Sequence, residues 1–300
     1  MIEFFQQIIN GVAIGGIYAL VALGYTMVYG VLKLINFAHG ELFTIGAYIG
    51  FTLLFSLGLS TLAEPIAIGL VMFTIFVIVA FLGVLLERTA YRPLRKANRL
   101  SAVVSALGAS IFLQNAIMLI YGGNFYVYPE TFFPSLSLDI FGVHISFMRL
   151  IIISISFFLM VTLYFFVNKT SIGMAIKAVA IDQITARLMG INVNKIISLV
   201  FFIGAGLGGI AGVMVGMYYG QISFTMGWLY GLKAFTAAIL GGIGNIPGAM
   251  LGGLLLGVVE TLAASYLSIG WKDAVAFFIL IIILVVRPTG LLGERVADKL

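Results

Sequence analysis

The sequence predicts an all-α polytopic membrane protein, and three observations carry that prediction. Hydrophobic residues fill 62% of the 300 positions and charged residues only 9%. A soluble domain is roughly half apolar and about a quarter charged. Mean hydropathy is +1.19. The apolar residues also gather into segments at 4–32, 41–58, 64–87, 101–121, 146–168, 196–220, 229–243, 248–268 and 271–287. A helix needs ~20 apolar residues to cross the hydrocarbon core. In lipid each backbone polar group must be satisfied within its own segment, and these runs are too long for barrel strands, which makes them helices. Segment 229–243 is short and glycine-rich and also reads as a re-entrant half-helix, so eight or nine transmembrane helices are expected.

This composition excludes a soluble enzyme, a disordered chain and a nucleic-acid-binding domain. A soluble fold so poor in charge would expose large apolar patches and aggregate. The chain has no cysteine, so disulfides and thiolate chemistry are out. Its two histidines, His39 and His144, stand far apart, and neither a metal site nor a cofactor is expected. MIEFFQQIIN has no Lys or Arg before the first apolar stretch, which outruns a signal-peptide core and reads as a retained span. Residues 1–300 are expected to form a single permeating domain, with halves at about 1–121 and 196–287 joined by the fifth span.

The net charge of +5 is best read as a topology signal. Arg88, Arg92, Arg95, Lys96 and Arg99 fall in one connection. Lys169, Lys177, Arg187 and Lys195 fall in a second, and Arg287, Arg295 and Lys299 in the tail. The long connection 122–145 has no Lys or Arg. The positive-inside rule therefore places 88–100, 168–196 and the C-terminus in the cytoplasm and 122–145 outside. Counting back through three spans places the N-terminus outside.

With that topology, spans one to four and six to nine run in opposite senses. GVAIGGIYALVALG at 11–24 is matched by GAGLGGIAGVMVG at 204–216. Each is followed by an aromatic and polar stretch, YGVLKLINFAHGELFTIGAY at 29–48 and YGQISFTMGWLYGLKAFTAA at 219–238. Inverted repeats of this kind build transport pathways that open alternately to each side. Gly204, Gly208, Gly212, Gly216 and Gly220 recur every fourth residue, a stripe of about 24 Å at the helical rise. Small residues let helix backbones approach closely in lipid, so this stripe is read as a packing face.

Polar residues at membrane depth are costly and face cavities or one another. Asn36, His39 and Glu41 open the second span, just after Lys33, and Gln114 and Asn115 lie mid-span in the fourth. These five are the candidates for a solute pathway; Asn36, His39 and Glu41 also read as hydrated at the interface, and Gln114 and Asn115 as hydrogen-bonded to a neighbouring helix. Lys33 can also simply snorkel to the interface. Lys233 and Glu260 are expected to pair structurally or serve transport. Trp228, Trp271 and Tyr230 are read as interface anchors, and GNIPG at 244–248 as a tight connection or unwound segment.

No Gly-Lys dipeptide exists, so the chain has no phosphate-binding loop. Neither G-x-S-x-G nor H-E-x-x-H occurs. The chain is therefore not expected to be an enzyme. Segment 169–195 is far longer than two spans need. Ala175, Ala178, Ala180, Ala186 and Leu188 mark one or two short helices, ended by Gly190 with Asn192 and Asn194 beyond. Such an element suits docking into a groove of a cytoplasmic partner.

Four blocks carry a family resemblance. INFAHGELFTIGAY at 35–48, ARLMGINVNKIISLVFFIGAGLGGIAGVM at 186–214, KAFTAAILGGIGNIPGAMLGGLLLG at 233–257 and RPTGLLGE at 287–294 resemble, in order, the blocks of branched-chain amino acid permeases of the LivH type. The resemblance implies a binding-protein-dependent ABC importer of leucine, isoleucine and valine in the bacterial inner membrane. It implies a fold similar to vitamin B12 and ribose importers, with a four-plus-four inverted repeat. It implies four kinds of partner: a second homologous permease, two cytoplasmic ATP-binding subunits, an extracytoplasmic solute-binding protein and the lipid bilayer. Residues 182–190 match the region that contacts the ATPase, with Asp182, Ala186, Leu188 and Gly190 as coupling candidates. Ala186 and Gly190 are the nearest counterparts of the alanine and glycine in the coupling pattern of other importers. Importers of urea, short amides or other amino acids share the same build, and an ion-coupled secondary transporter is the remaining alternative.

Overall fold

The computed structural model describes residues 2–56, 64–95, 97–128, 137–140 and 142–293. Lys96, Arg295, Lys299 and the last residue of the 287–294 block lie outside the described residues. Eleven α-helices are present among those described: α1 Ile2–Leu32, α2 His39–Phe51, α3 Glu64–Leu86, α4 Arg99–Tyr121, α5 Phe147–Lys169, α6 Ser171–Ile181, α7 Gln183–Leu188, α8 Val193–Tyr219, α9 Met226–Gly241, α10 Ile246–Tyr266 and α11 Lys272–Val286. The protein is an all-α polytopic membrane protein. Among the described residues, seven helical segments are long and apolar enough to cross a bilayer. The shorter helices α2 and α9 lie against each other, with α2 packed on α8 and α9 packed on α1 and α10. A π-helical turn, Thr52–Ser56, extends α2.

Punctuation in the sequence explains where helices start and stop. Pro65 and Pro247 sit in first turns, Pro93 in a 3-10 turn after α3, and Pro288 beyond α11, where a missing N–H removes no interior hydrogen bond. Asn245 caps α10 by accepting from the Gly248 N–H at 3.0 Å. GNIPG is therefore a tight connection, with Gly242 and Gly244 at positive φ.

Connection 122–145 was expected only as an external loop without Lys or Arg. Its described residues form two antiparallel ribbons. β1 (Tyr126–Val127) pairs with β4 (Gln221–Ile222), and β2 (Ser137–Ile140) with β3 (Val143–Ser146). The start of α1 is tied to the second ribbon, because the Gln6 amide donates to the His144 carbonyl and accepts from the His144 N–H, both at 2.9 Å. Tyr128 reaches back into the bundle and donates to the Ala47 carbonyl at 2.7 Å.

α1 and α8 form the centre, and α4 and α11 face largely outward. The broadest packing is α1 on α10, followed by α3 and α2 on α8. Glycine makes these approaches possible. A Cβ at Gly257 would lie 2.3 Å from the Gly15 Cα, and one at Gly212 would lie 1.9 Å from the Phe43 carbonyl oxygen. Elsewhere on the stripe, Gly204 faces Gly24, Gly208 faces the His39 ring and Gly216 faces the Tyr128 ring. No side chain would fit between the α1 and α10 backbones.

Gly257→Val should therefore lower the thermal midpoint of the detergent-solubilised protein and its yield in membranes, at a cost of about 1–3 kcal/mol from overpacking. Gly108→Ala on α4, where an added Cβ meets nothing within 4 Å, should leave both unchanged in the same assay.

Candidate functional site

The first polar cluster begins where α1 ends. Lys33 adopts a left-handed conformation with φ 55°, its N–H still donating to the Tyr29 carbonyl at 2.8 Å. Its side chain is exposed. The chain then turns inward and buries Asn36, His39 and Glu41 almost completely. The Tyr91 hydroxyl donates to Asn36 Oδ1 at 2.6 Å, and Ser110 of α4 donates to Glu41 Oε1 at 3.3 Å. The His39 ring stands edge-on to Tyr25 at 4.7 Å between centroids. It fills a notch beside Gly24, where a Cβ would lie 2.3 Å from its Nε2.

This cluster is under-satisfied. Asn36 Nδ2, His39 Nε2 and Glu41 Oε2 are buried with no hydrogen-bond partner. An unmade buried hydrogen bond costs about 1–3 kcal/mol. The polar side chains at the start of α2 are thus only partly served by the protein itself. Gln114 and Asn115 stand apart from them. Gln114 is half-buried one turn beyond Ser110, and Asn115 is exposed on the outward face of α4, its amide donating to its own helix at the Ile111 carbonyl, 2.7 Å away.

A second cluster joins α1, α9, α10 and α11. Buried Lys233 lies 2.6 Å from Glu260 Oε1 and 2.6 Å from Asp273 Oδ1. The Tyr18 hydroxyl donates to Glu260 Oε2 at 2.7 Å, and Lys272 stands 4.0 Å from Glu260. Of the two readings open for Lys233 and Glu260, direct pairing is what the geometry displays. Sequence reasoning missed Tyr18, Tyr91, Ser110 and Asp273. Only Asp273 left a signal, as a carboxylate at the head of the last apolar segment near an intramembrane lysine. Tyr230 is not an interface anchor: it turns inward and stacks on Phe43 at 5.2 Å. Trp228 and Trp271 are exposed.

The third feature is the 169–195 connection. α6 and α7 meet at Asp182, which caps α7 by accepting from the Ile184 N–H at 2.9 Å. Gly190, at φ +84°, ends the element, and Asn192 caps α8 by accepting from the Lys195 N–H at 3.1 Å. Ala186 is buried, while Ile181, Ile184, Leu188 and Met189 expose apolar side chains. The Gln183 amide donates to the Val31 carbonyl at 2.9 Å, tying α7 to the end of α1.

Residues 7–284 match the family model described as branched-chain amino acid transport system, permease component. The chain belongs to this permease family. It is 46% identical to the high-affinity branched-chain amino acid transport system permease protein BraD of Pseudomonas aeruginosa, over 99% of this chain and 98% of that protein. It is 44% identical to the corresponding LivH proteins of Salmonella typhimurium and Escherichia coli, over 99% of this chain and 97% of theirs. No solved structure matches it. Among the described residues of this permease, no cluster of His, Cys, Asp and Glu is built to hold a metal ion.

Removing one partner of a buried ion pair strands the other, at about 3–5 kcal/mol. Lys233→Met and Glu260→Met should each lower the thermal midpoint of the purified permease strongly. The double variant should recover much of that loss, since part-exposed Asp273 retains water and neighbouring Lys272. A double-mutant cycle followed by thermal unfolding measures the difference.

Proposed function

We propose that this chain is the membrane-spanning permease subunit of an ATP-driven importer that carries leucine, isoleucine and valine into the cytoplasm. The observation that carries this reading is near full-length identity of 44–46% to permeases named for high-affinity branched-chain amino acid transport. ATP is hydrolysed by two separate cytoplasmic subunits. A second homologous permease completes the membrane part, and an extracytoplasmic protein delivers the solute. The chain sits in the bacterial inner membrane with its C-terminus in the cytoplasm, which the arginine-rich 88–100 connection supports.

In this reading the halves at 1–121 and 196–287 form an inverted four-plus-four repeat. The packing of α1 on α10 and of α8 on α3, with the short helices α2 and α9 between them, supports it. The under-satisfied Asn36, His39 and Glu41 offer donors and acceptors to a small zwitterion, set among apolar walls suited to an aliphatic side chain. Gln114 and Asn115 would join such a path along a seam with the second permease, because α4 faces outward. ATP-driven movement enters through Asp182, Ala186, Leu188 and Gly190. The exposed apolar side chains of α7 supply the docking surface, and the α7–α1 hydrogen bond supplies a route into the core.

Deleting the gene should abolish uptake of radiolabelled leucine at sub-micromolar concentration and leave urea and acetamide uptake intact, with complementation restoring it. Loss of another solute with leucine unaffected would keep the importer and discard the substrate. Gly190→Val, which forces a β-branched residue into a left-handed conformation, should abolish uptake while the protein still inserts at normal levels. Normal uptake by this variant would remove the coupling role from the 182–190 element.

A further inference from the structure

At the arginine-rich end of the bundle, a groove of about 280 Å³ lies between the end of α3 with its following turns and the start of α8. Arg88 and Arg92 enter it from the π-helical turn Glu87–Tyr91 and the 3-10 turn Arg92–Leu94 that follow α3, and Lys195 from the first turn of α8. Among the described residues, none of these three cations makes an ion pair. Their neighbour Arg95 is already engaged, with the buried Glu87 carboxylate and with Asn194 Oδ1 at 2.8 Å. Ser198 donates to the same carboxylate at 2.8 Å. Glu87 is thus consumed in fastening α3 to α8, and the groove lining holds no carboxylate. Three uncompensated positive charges converge on a space with no protein anion to meet them.

The floor of the groove is apolar. Val84, Leu199 and Phe202 line it, and the exposed Phe81 packs edge-on against Phe202 at 5.5 Å. Leu85, also exposed, continues the same face of α3 away from the charges. Cations above and a hydrocarbon-compatible surface below match one amphiphile. A free anion would use only the upper part, and an acidic protein segment would leave the lower part unfilled.

We infer that this groove binds an anionic phospholipid, its phosphodiester held by Arg88, Arg92 and Lys195 and an acyl chain lying along Val84, Leu199 and Phe202. Basic pockets between helices at the cytoplasmic end are suited to such headgroups. A lipid seated there bridges α3 and α8 beside the start of α8, where the 169–195 connection re-enters the membrane. The assignment does not depend on which solute the permease carries.

The test uses the full-length chain, with the subunits that remain bound, purified from membranes containing phosphatidylglycerol and cardiolipin. Retained lipid is quantified by native mass spectrometry after a delipidating wash. Wild type should keep anionic lipid. Arg88→Gln/Arg92→Gln/Lys195→Gln should bind it on the order of a hundredfold more weakly, at about fivefold per charge removed. Lys169→Gln, an exposed cation outside the groove, should retain wild-type levels. Millimolar inorganic phosphate should not displace the lipid. Equal lipid retention by the triple variant overturns the proposal, as does displacement by phosphate, which would mark a free-anion site. Loss of a protein subunit with lipid retained also overturns it, since the patch would then be a protein interface. If the triple variant does not accumulate, Arg88→Gln and Lys195→Gln are each read for the fivefold loss, and wild-type retention by both refutes the site.

Discussion

Backbone contact between glycine-bearing helix faces holds this protein together. In lipid, apolar side chains gain nothing by leaving the solvent, so helices associate through close packing and polar contacts. Gly15 against Gly257, Gly46 against Gly209 and Gly212 against the Phe43 carbonyl bring α1 to α10 and α2 to α8 at distances no side chain permits. These contacts set how closely α1 meets α10 and α2 meets α8. They also decide where space is left, because a notch such as the one at Gly24 exists only where a side chain is missing and another residue fills it.

The polar groups follow from that frame and divide into two kinds. Lys233 pairs with Glu260 and Asp273, and Tyr18 donates to Glu260, across four helices. Such a network resists rearrangement, since moving one member leaves a charge unpaired at high cost. Asn36, His39 and Glu41 are different. Each keeps one partnerless buried atom, so rearrangement around them exposes groups that have little to lose. A transporter needs both kinds, one region that resists change and one that tolerates it.

Much of this was legible in the residues. Helices are announced by long apolar runs, and Pro247, Gly190 and Asn192 act where turn chemistry says they should. The depth of Lys233 and Glu260 showed that charges had to find partners, and the length of 169–195 showed that it forms something of its own. What stayed hidden depends on partners distant in sequence. Tyr18 looks like any aromatic residue in an apolar helix until Glu260 is placed beside it. Tyr230 has the composition of an interface anchor, and only its stacking on Phe43 shows that it points inward. The ribbons within 122–146 have strands of two to four residues, too short to carry a period. The under-satisfied atoms are invisible in principle, because satisfaction is a property of neighbours.

The hydrogen bond from Gln183 to Val31 joins α7 to one end of α1, and the Gln6 amide joins the other end to the β2–β3 ribbon. Between them α1 is an unbroken helix of 31 residues, about 46 Å long at the helical rise. A helix of that length, clasped on several sides, behaves as a stiff strut. Displacement at either terminus must travel along it or snap a bond at the far end. The two ends of the molecule therefore share one mechanical member, tied by a hydrogen bond at each of its termini.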